Sequence, residues 1–288
     1  MRLFREFSTS TPSAALRLAF TVHDPPNHRQ NDDAIPIIFL HGLFGSKKNN
    51  RSISKVLARD LNRRIYAIDL RNHGDSPHDA HHNYASMTED LEMFMRDHDL
   101  TATTLVGHSM GAKTAMSMAL RWPERVASLV VVDNAPVDAA LKSDFAKYVQ
   151  GMKRVEQAQV TKQSEADEIL KEYEESLPIR QFLLTNLVRP AESPALRFRI
   201  PIGILASALD NMADFPYKDP TEMRYNGPVL VIRGTRSHYV ADDTLPVIGS
   251  FFPRFELQDV DSGHWVISEN PEAFRSAVLD FLRRQEAT

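Results

Sequence analysis

The feature that most constrains this chain is a rhythm of short apolar runs separated by amphipathic stretches. Residues 35–40 (IPIIFL) and 64–70 (RIYAIDL) are nearly continuous in apolar character, as strands buried on both faces require. Between them Ile53, Val56, Leu57 and Leu61 recur at helical spacing, and Met87, Leu91, Phe94 and Met95 do so after the second run. Residues 103–106 form the next strand, 110–121 a helix, and 129–132 another strand of mostly β-branched residues. An earlier alternation over residues 16–22 reads as a half-buried strand. Strand and helix in turn predict an α/β fold, a mostly parallel sheet flanked by helices, whose ligands bind at the C-terminal ends of the strands.

The rhythm breaks after Asp133. From residue 136 to about 220 the chain reads as helical and strand-free, with segments at 141–159, 165–177 and 179–188. Sheet patterning resumes at 229–232 and 255–260, and a closing helix starts at Asn270-Pro271. The expected organisation is a core of residues 15–135 and 221–288, with residues 136–220 forming a helical cap inserted after the sixth strand. Residues 1–14 form a leader. With residue 17, this segment carries Arg2, Arg5 and Arg17 against Glu6 alone, plus a Ser/Thr cluster, which is the bias of a mitochondrial transit peptide. Cytoplasmic residence is the alternative.

Composition removes several classes of chemistry. There are no cysteines, so disulfides, thiol nucleophiles and Cys-ligated metals are excluded. Lys and Arg number 34 against 38 Asp and Glu, so no basic field points to nucleic acid. The longest mainly apolar stretch, residues 200–209, is far short of the roughly 18 needed to span a bilayer. Any nucleophile is therefore oxygen or nitrogen.

Gly107-His108-Ser109-Met110-Gly111 supplies one, directly after a strand and before a helix. The glycines permit a sharp turn that presents Ser109 at its apex, and the Met110 amide at the helix start can donate to a developing oxyanion. A second donor is expected from the loop after the first buried strand, His41-Gly42-Leu43-Phe44-Gly45. Leu43 is the first candidate there and Phe44 the alternative, with His41 bracing the loop. A base is required to take the serine proton, and His264, in SGHW after the last strand, fits that role. The orienting carboxylate is open among Asp133, Asp242 and Asp243 on the residues alone. Ser237 stands where an acid is usual. Trp265, Phe44 and His108 are candidate pocket residues. His78, His81 and His82 share one polar loop without metal-ligand spacing, so no metal is expected and no cofactor is implied.

With Ser109, His264 and the HG loop in place, residues 15–284 resemble an α/β-hydrolase. HGLFGSKKN, DLRNHGDSP, VGHSMGAKTAM, VVDNAP and LRFRIPIGIL further resemble the mitochondrial α/β-hydrolase-domain-11 family, which includes fungal ethanol acetyltransferases and is similar to small bacterial acyl esterases. The resemblance implies a triad acid at Asp133 and a serine at the Ser237 position. It also implies cleavage of esters or thioesters, with transfer of acetyl from acetyl-CoA to ethanol on the same triad as an alternative. Ala112 departs from the glycine more usual in relatives. A further alternative is a non-catalytic protein that binds a lipid or a mitochondrial partner.

Overall fold

The computed structural model describes residues 15–26, 34–138 and 144–287, so the expected leader lies outside the described residues. The first half runs β1 (Phe20–His23), β2 (Ile37–Leu40), α1 (Arg51–Leu61), β3 (Ile65–Ile68), α2 (Tyr84–Asp97), β4 (Thr103–His108), α3 (Met110–Arg121) and β5 (Val126–Val132). An insertion follows, with α4 (Asp144–Gln157), α5 (Gln163–Leu170), α6 (Leu177–Leu184), β6 (Leu187–Val188), β7 (Arg197–Phe198), α7 (Ile202–Ser207) and α8 (Leu209–Ala213). The core resumes with β8 (Val229–Gly234), α9 (Leu245–Phe251), β9 (Phe255–Val260), α10 (Val266–Glu269) and α11 (Pro271–Glu286).

The seven core strands form one sheet in the order β1-β3-β2-β4-β5-β8-β9. All neighbours are parallel except β1, which runs antiparallel to β3 at the edge. Every residue of β2, β3 and β4 is buried, and for β2 and β3 this is why the strands read as apolar runs rather than alternations. Two hydrophobic clusters cover the faces: Ile38, Leu40, Leu105, Val131 and α3 on one, Ile37, Phe39, Val106, Val130, α1 and α11 on the other. The Asn83 and Asn270 side chains cap α2 and α11 by accepting the Ser86 and Ala273 amides.

Three expectations change. Among the described residues the insertion follows the fifth strand, not a sixth, because only β1 precedes the parallel set. It is not strand-free, since Leu187 pairs with Phe198 and Val188 with Arg197 in an antiparallel ladder too short to leave a pattern. Residues 165–177 are not one helix. The Arg180 guanidinium donates to the carbonyls of Glu174 (3.0 Å) and Glu175 (2.7 Å) and so satisfies a break between α5 and α6.

Candidate active site

Strand order brings the site together. Parallel β4, β5, β8 and β9 are consecutive neighbours, so the residues that leave their C-terminal ends converge at one edge. The Ser109 amide donates to the last carbonyl of β5, Val132 (3.0 Å), and the Asp133 amide to Ile232 of β8 (2.8 Å). The chain turns sharply at both points, where Ser109 has φ +53° and Asp133 φ +51°. Such values are disfavoured for residues with a Cβ and persist only where the surroundings fix them. At Ser109 the glycines do so. A Cβ on Gly107 would stand 2.3 Å from the Gly111 carbonyl oxygen, and one on Gly111 would stand 2.5 Å from that of Leu40.

His264 Nε2 lies 3.0 Å from Ser109 Oγ, and its Nδ1 lies 2.7 Å from Asp133 Oδ2. A carboxylate accepts only, so Nδ1 carries the imidazole proton and Nε2 is left to accept from the serine. Asp133 is fully buried, and its oxygens also take the Gly234 amide (3.0 Å) and the Ser237 hydroxyl (2.5 Å). Ser237 thus donates to the acid instead of replacing it. Asp242 is turned elsewhere, toward Arg233 (2.6 Å), and Asp243 sits with it in a short 3-10 turn. Ser109 is 5% exposed and the His264 side chain 12%, so the pair is shielded yet reachable.

A frame of neutral histidines backs the serine. The Leu70 amide donates to His41 Nε2 (3.0 Å), so His41 Nδ1 carries the proton and donates to the Gly42 carbonyl (2.8 Å). By the same logic His73 Nε2 accepts the Phe44 amide (3.0 Å) and its Nδ1 donates to the Arg71 carbonyl (2.9 Å). Burial lowers both pKa values, His73 well below the ordinary range. His108 donates Nε2–H to the His264 carbonyl (2.8 Å), and burial, then the nearby His264, pushes it down to about 4. His73 also ties the Phe44 amide away from any substrate, which leaves Leu43 as the loop's candidate donor beside Met110. His82, from the polar histidine loop, is buried with Nδ1 3.2 Å from Asn72 Nδ2, while His81 pairs with Asp79 (3.0 Å).

A cavity of about 710 Å³ opens beside this centre, with His41, Gly42 and His108 on its inner side. Its walls are largely apolar: Ile53 and Val56 from α1, Ile179 and Phe182 from α6, and Trp265 and Ile267 after the histidine. His108 and Trp265 line this cavity, whereas Ser109 and His264 do not. Phe44 is not among the lining residues. It is fully buried and packs on Phe145 of the insertion, with ring centroids 5.9 Å apart.

Several contacts carry no signature in the sequence. The Tyr239 ring stacks on His264 (4.0 Å, 23°), and the Asn134 amide donates to the Ser109 carbonyl (3.1 Å). Lys113 is buried on α3, and its ammonium donates to the carbonyls of Val137 (2.9 Å), Ala213 (2.6 Å) and Asp214 (3.0 Å), gripping both roots of the insertion. Among the described residues no helix is long and apolar enough to cross a membrane, and no cluster of three metal-ligating side chains occurs.

Sheet order, elbow and insertion define an enzyme of the α/β-hydrolase class. Residues 35–271 match the family model described as alpha/beta hydrolase fold, and the chain belongs to that family. It is 40% identical over 271 residues to a probable alcohol acetyltransferase of Saccharomyces cerevisiae, covering 87% of this chain and 78% of that protein. It is also 40% identical over 263 residues to the mouse sn-1-specific diacylglycerol lipase ABHD11, covering 89% of this chain and 84% of that protein. A solved structure described as a marine microorganism esterase superposes with a TM-score of 0.85 at 30% identity, covering 93% of this chain and all of that one (100%).

Proposed function

We propose that this enzyme cleaves carboxylic esters or thioesters through an acyl-enzyme formed on Ser109. The observation that carries the reading is the unbroken hydrogen-bonded line from Ser109 Oγ through the His264 imidazole to Asp133. Ser109 Oγ attacks the substrate carbonyl while His264 Nε2 takes its proton. The imidazolium then returns that proton to the leaving alcohol or thiol, and a second cycle with water as nucleophile releases the acid. Asp133 holds the imidazole in the required tautomer and compensates its positive charge. The amides of Leu43 and Met110 hold the oxyanion, a term that is the largest in many acyl-transfer enzymes. Residues 136–220 serve as a cap over this centre. The largely apolar cavity that adjoins this centre at Gly42, His108 and Trp265 supports a lipophilic group extending from the reacting carbonyl.

A second reading keeps the same acyl-enzyme and changes only the acceptor. The likeness to a probable alcohol acetyltransferase supports transfer of an acetyl group to an alcohol, with acetyl-CoA and ethanol as the donor and acceptor to be tested and the cap limiting the access of water. The basic, hydroxyl-rich leader of residues 1–14 supports mitochondrial import, although it lies outside the described residues.

One experiment separates the readings. The protein and its Ser109→Ala variant are given acetyl-CoA or an aryl acetate with increasing ethanol, and acetate and ethyl acetate are quantified. Ethyl acetate that rises with ethanol in the unmodified protein alone marks an acyltransferase, whereas acetate alone marks a hydrolase. Turnover retained by Ser109→Ala overturns both.

A further inference from the structure

The oxyanion loop is held from two sides, and one of the two is the insertion. Phe44 has φ +62°, a left-handed conformation unfavourable for a residue with a Cβ. On the core side its amide donates to His73 Nε2 (3.0 Å). On the other side its carbonyl accepts a buried hydrogen bond from Asn186 Nδ2 (2.7 Å), a residue 142 positions later that is 2% exposed. Asn186 is itself fixed. Its amide donates to the Leu183 carbonyl at the end of α6 (3.1 Å), and its carbonyl accepts the Arg199 amide just after β7 (2.8 Å). The Phe44 ring meets Phe145 of α4, so the insertion grips both the ring and the carbonyl of this residue.

We propose that Asn186 is a positioning residue for the oxyanion loop, its side-chain amide holding the Phe44 carbonyl so that the preceding Leu43 amide is aimed at the reacting oxygen. The inference rests on the reading of Ser109 and Leu43 given above. A donor contributes fully only when it already points at the place where charge develops, and errors of roughly 0.5 Å erode that contribution. With its carbonyl released, a residue at φ +62° has an unfavourable backbone and one holding contact fewer. Seating of the insertion is thereby coupled to the competence of the loop. Motion of α6 would thus reach the oxyanion donors through Asn186, which follows that helix.

The test uses the full chain with Asn186→Leu, which keeps the approximate volume and removes the donor. Three quantities are read: kcat and KM for an aryl butyrate, and the inhibition constant of an alkyl trifluoromethyl ketone, which adds to the serine and presents an oxyanion. The expected result is a fall in kcat and a matching weakening of the ketone, each roughly 10- to 100-fold, with KM within about twofold. Asn186→Asp, which turns a carboxylate toward the carbonyl, is expected to be at least as impaired and serves if the leucine variant does not fold. Unchanged kcat and ketone affinity in either folded variant overturn the proposal. A defect confined to KM does the same, since it assigns Asn186 to substrate binding. Ser109→Ala retaining turnover also removes it, and that result is distinguishable because it strikes the nucleophile rather than the loop.

Discussion

Asp133 and Gly234 end neighbouring strands, and the Gly234 amide donates to Asp133 Oδ1 at 3.0 Å. The acid that leaves β5 is therefore anchored on the end of β8, the strand after which an orienting carboxylate is usual. Its second oxygen remains for His264 Nδ1 and the Ser237 hydroxyl. Asp133→Asn preserves this shape but offers the imidazole the wrong partner, so kcat should fall by roughly 10⁴ with little change in melting temperature. Steady-state kinetics check this, and a loss below tenfold would return Asp242 and Asp243 to consideration.

Gly111 sets how closely α3 approaches the loop that leaves β2. A methyl group there would meet the carbonyl oxygens of Leu40 (2.5 Å) and His41 (2.7 Å), which are backbone atoms and cannot rotate away. Gly111→Ala should therefore cost about 1–3 kcal/mol of stability, as overpacking usually does. Activity should fall further than stability, because the displaced segment carries Leu43, the proposed oxyanion donor. Urea unfolding and turnover on the same sample decide it, and a variant with unchanged kcat contradicts the account.

The buried histidines predict sensitivity to acid. His82, pushed down to about 3 by burial and then by Arg71, and His108, at about 4, remain neutral in the fold well below the ordinary value of 6.5. Between those limits the unfolded chain binds protons that the folded chain does not, so stability falls as pH falls. At pH 5 each of the two should withdraw roughly 2 kcal/mol, with His41 and His73 acting in the same direction. Denaturant titrations at pH 7, 6 and 5 should show this loss before the carboxylates titrate, and a flat profile would exclude it.

Lys113 predicts the opposite edge of the profile. Burial lowers its pKa from 10.5 to about 8, so between these values the unfolded chain carries a proton that the folded chain has released. The contribution of this group to stability consequently rises with pH across that window. The difference in unfolding free energy between the unmodified protein and Lys113→Met should move in favour of the lysine from pH 8 to pH 10. A difference that stays constant would mean that Lys113 does not titrate there.

What could be read from the sequence followed from how local its physical cause is. The Ser109 elbow is a steric requirement met within five residues, and His264 follows from chain order after the last strand. Asp133 could not be separated from Asp242 and Asp243 by residue type, because the choice depends on β5 lying between β4 and β8 in the sheet. Phe44, the alternative to Leu43, is set aside only by a contact with His73, 29 residues away, which takes the Phe44 amide. Asn186, in the turn after α6, and Lys113, on α3, belong to no motif of spacing, and they have partners 142 and 100 positions away. The helix expected over 165–177 failed for a similar reason, since the Arg180 side chain satisfies the carbonyls of the break.

Trp265 follows His264 directly, and its ring lies 4.6 Å from that of Phe182 on α6 and 5.8 Å from that of His264. It is one of only two tryptophans in the chain, the other being Trp122 beside Arg121. A Trp122→Phe protein would have a single indole emitter wedged between α6 of the insertion and the His264 ring. Its fluorescence would then report optically whether α6 is seated against His264, with and without substrate present.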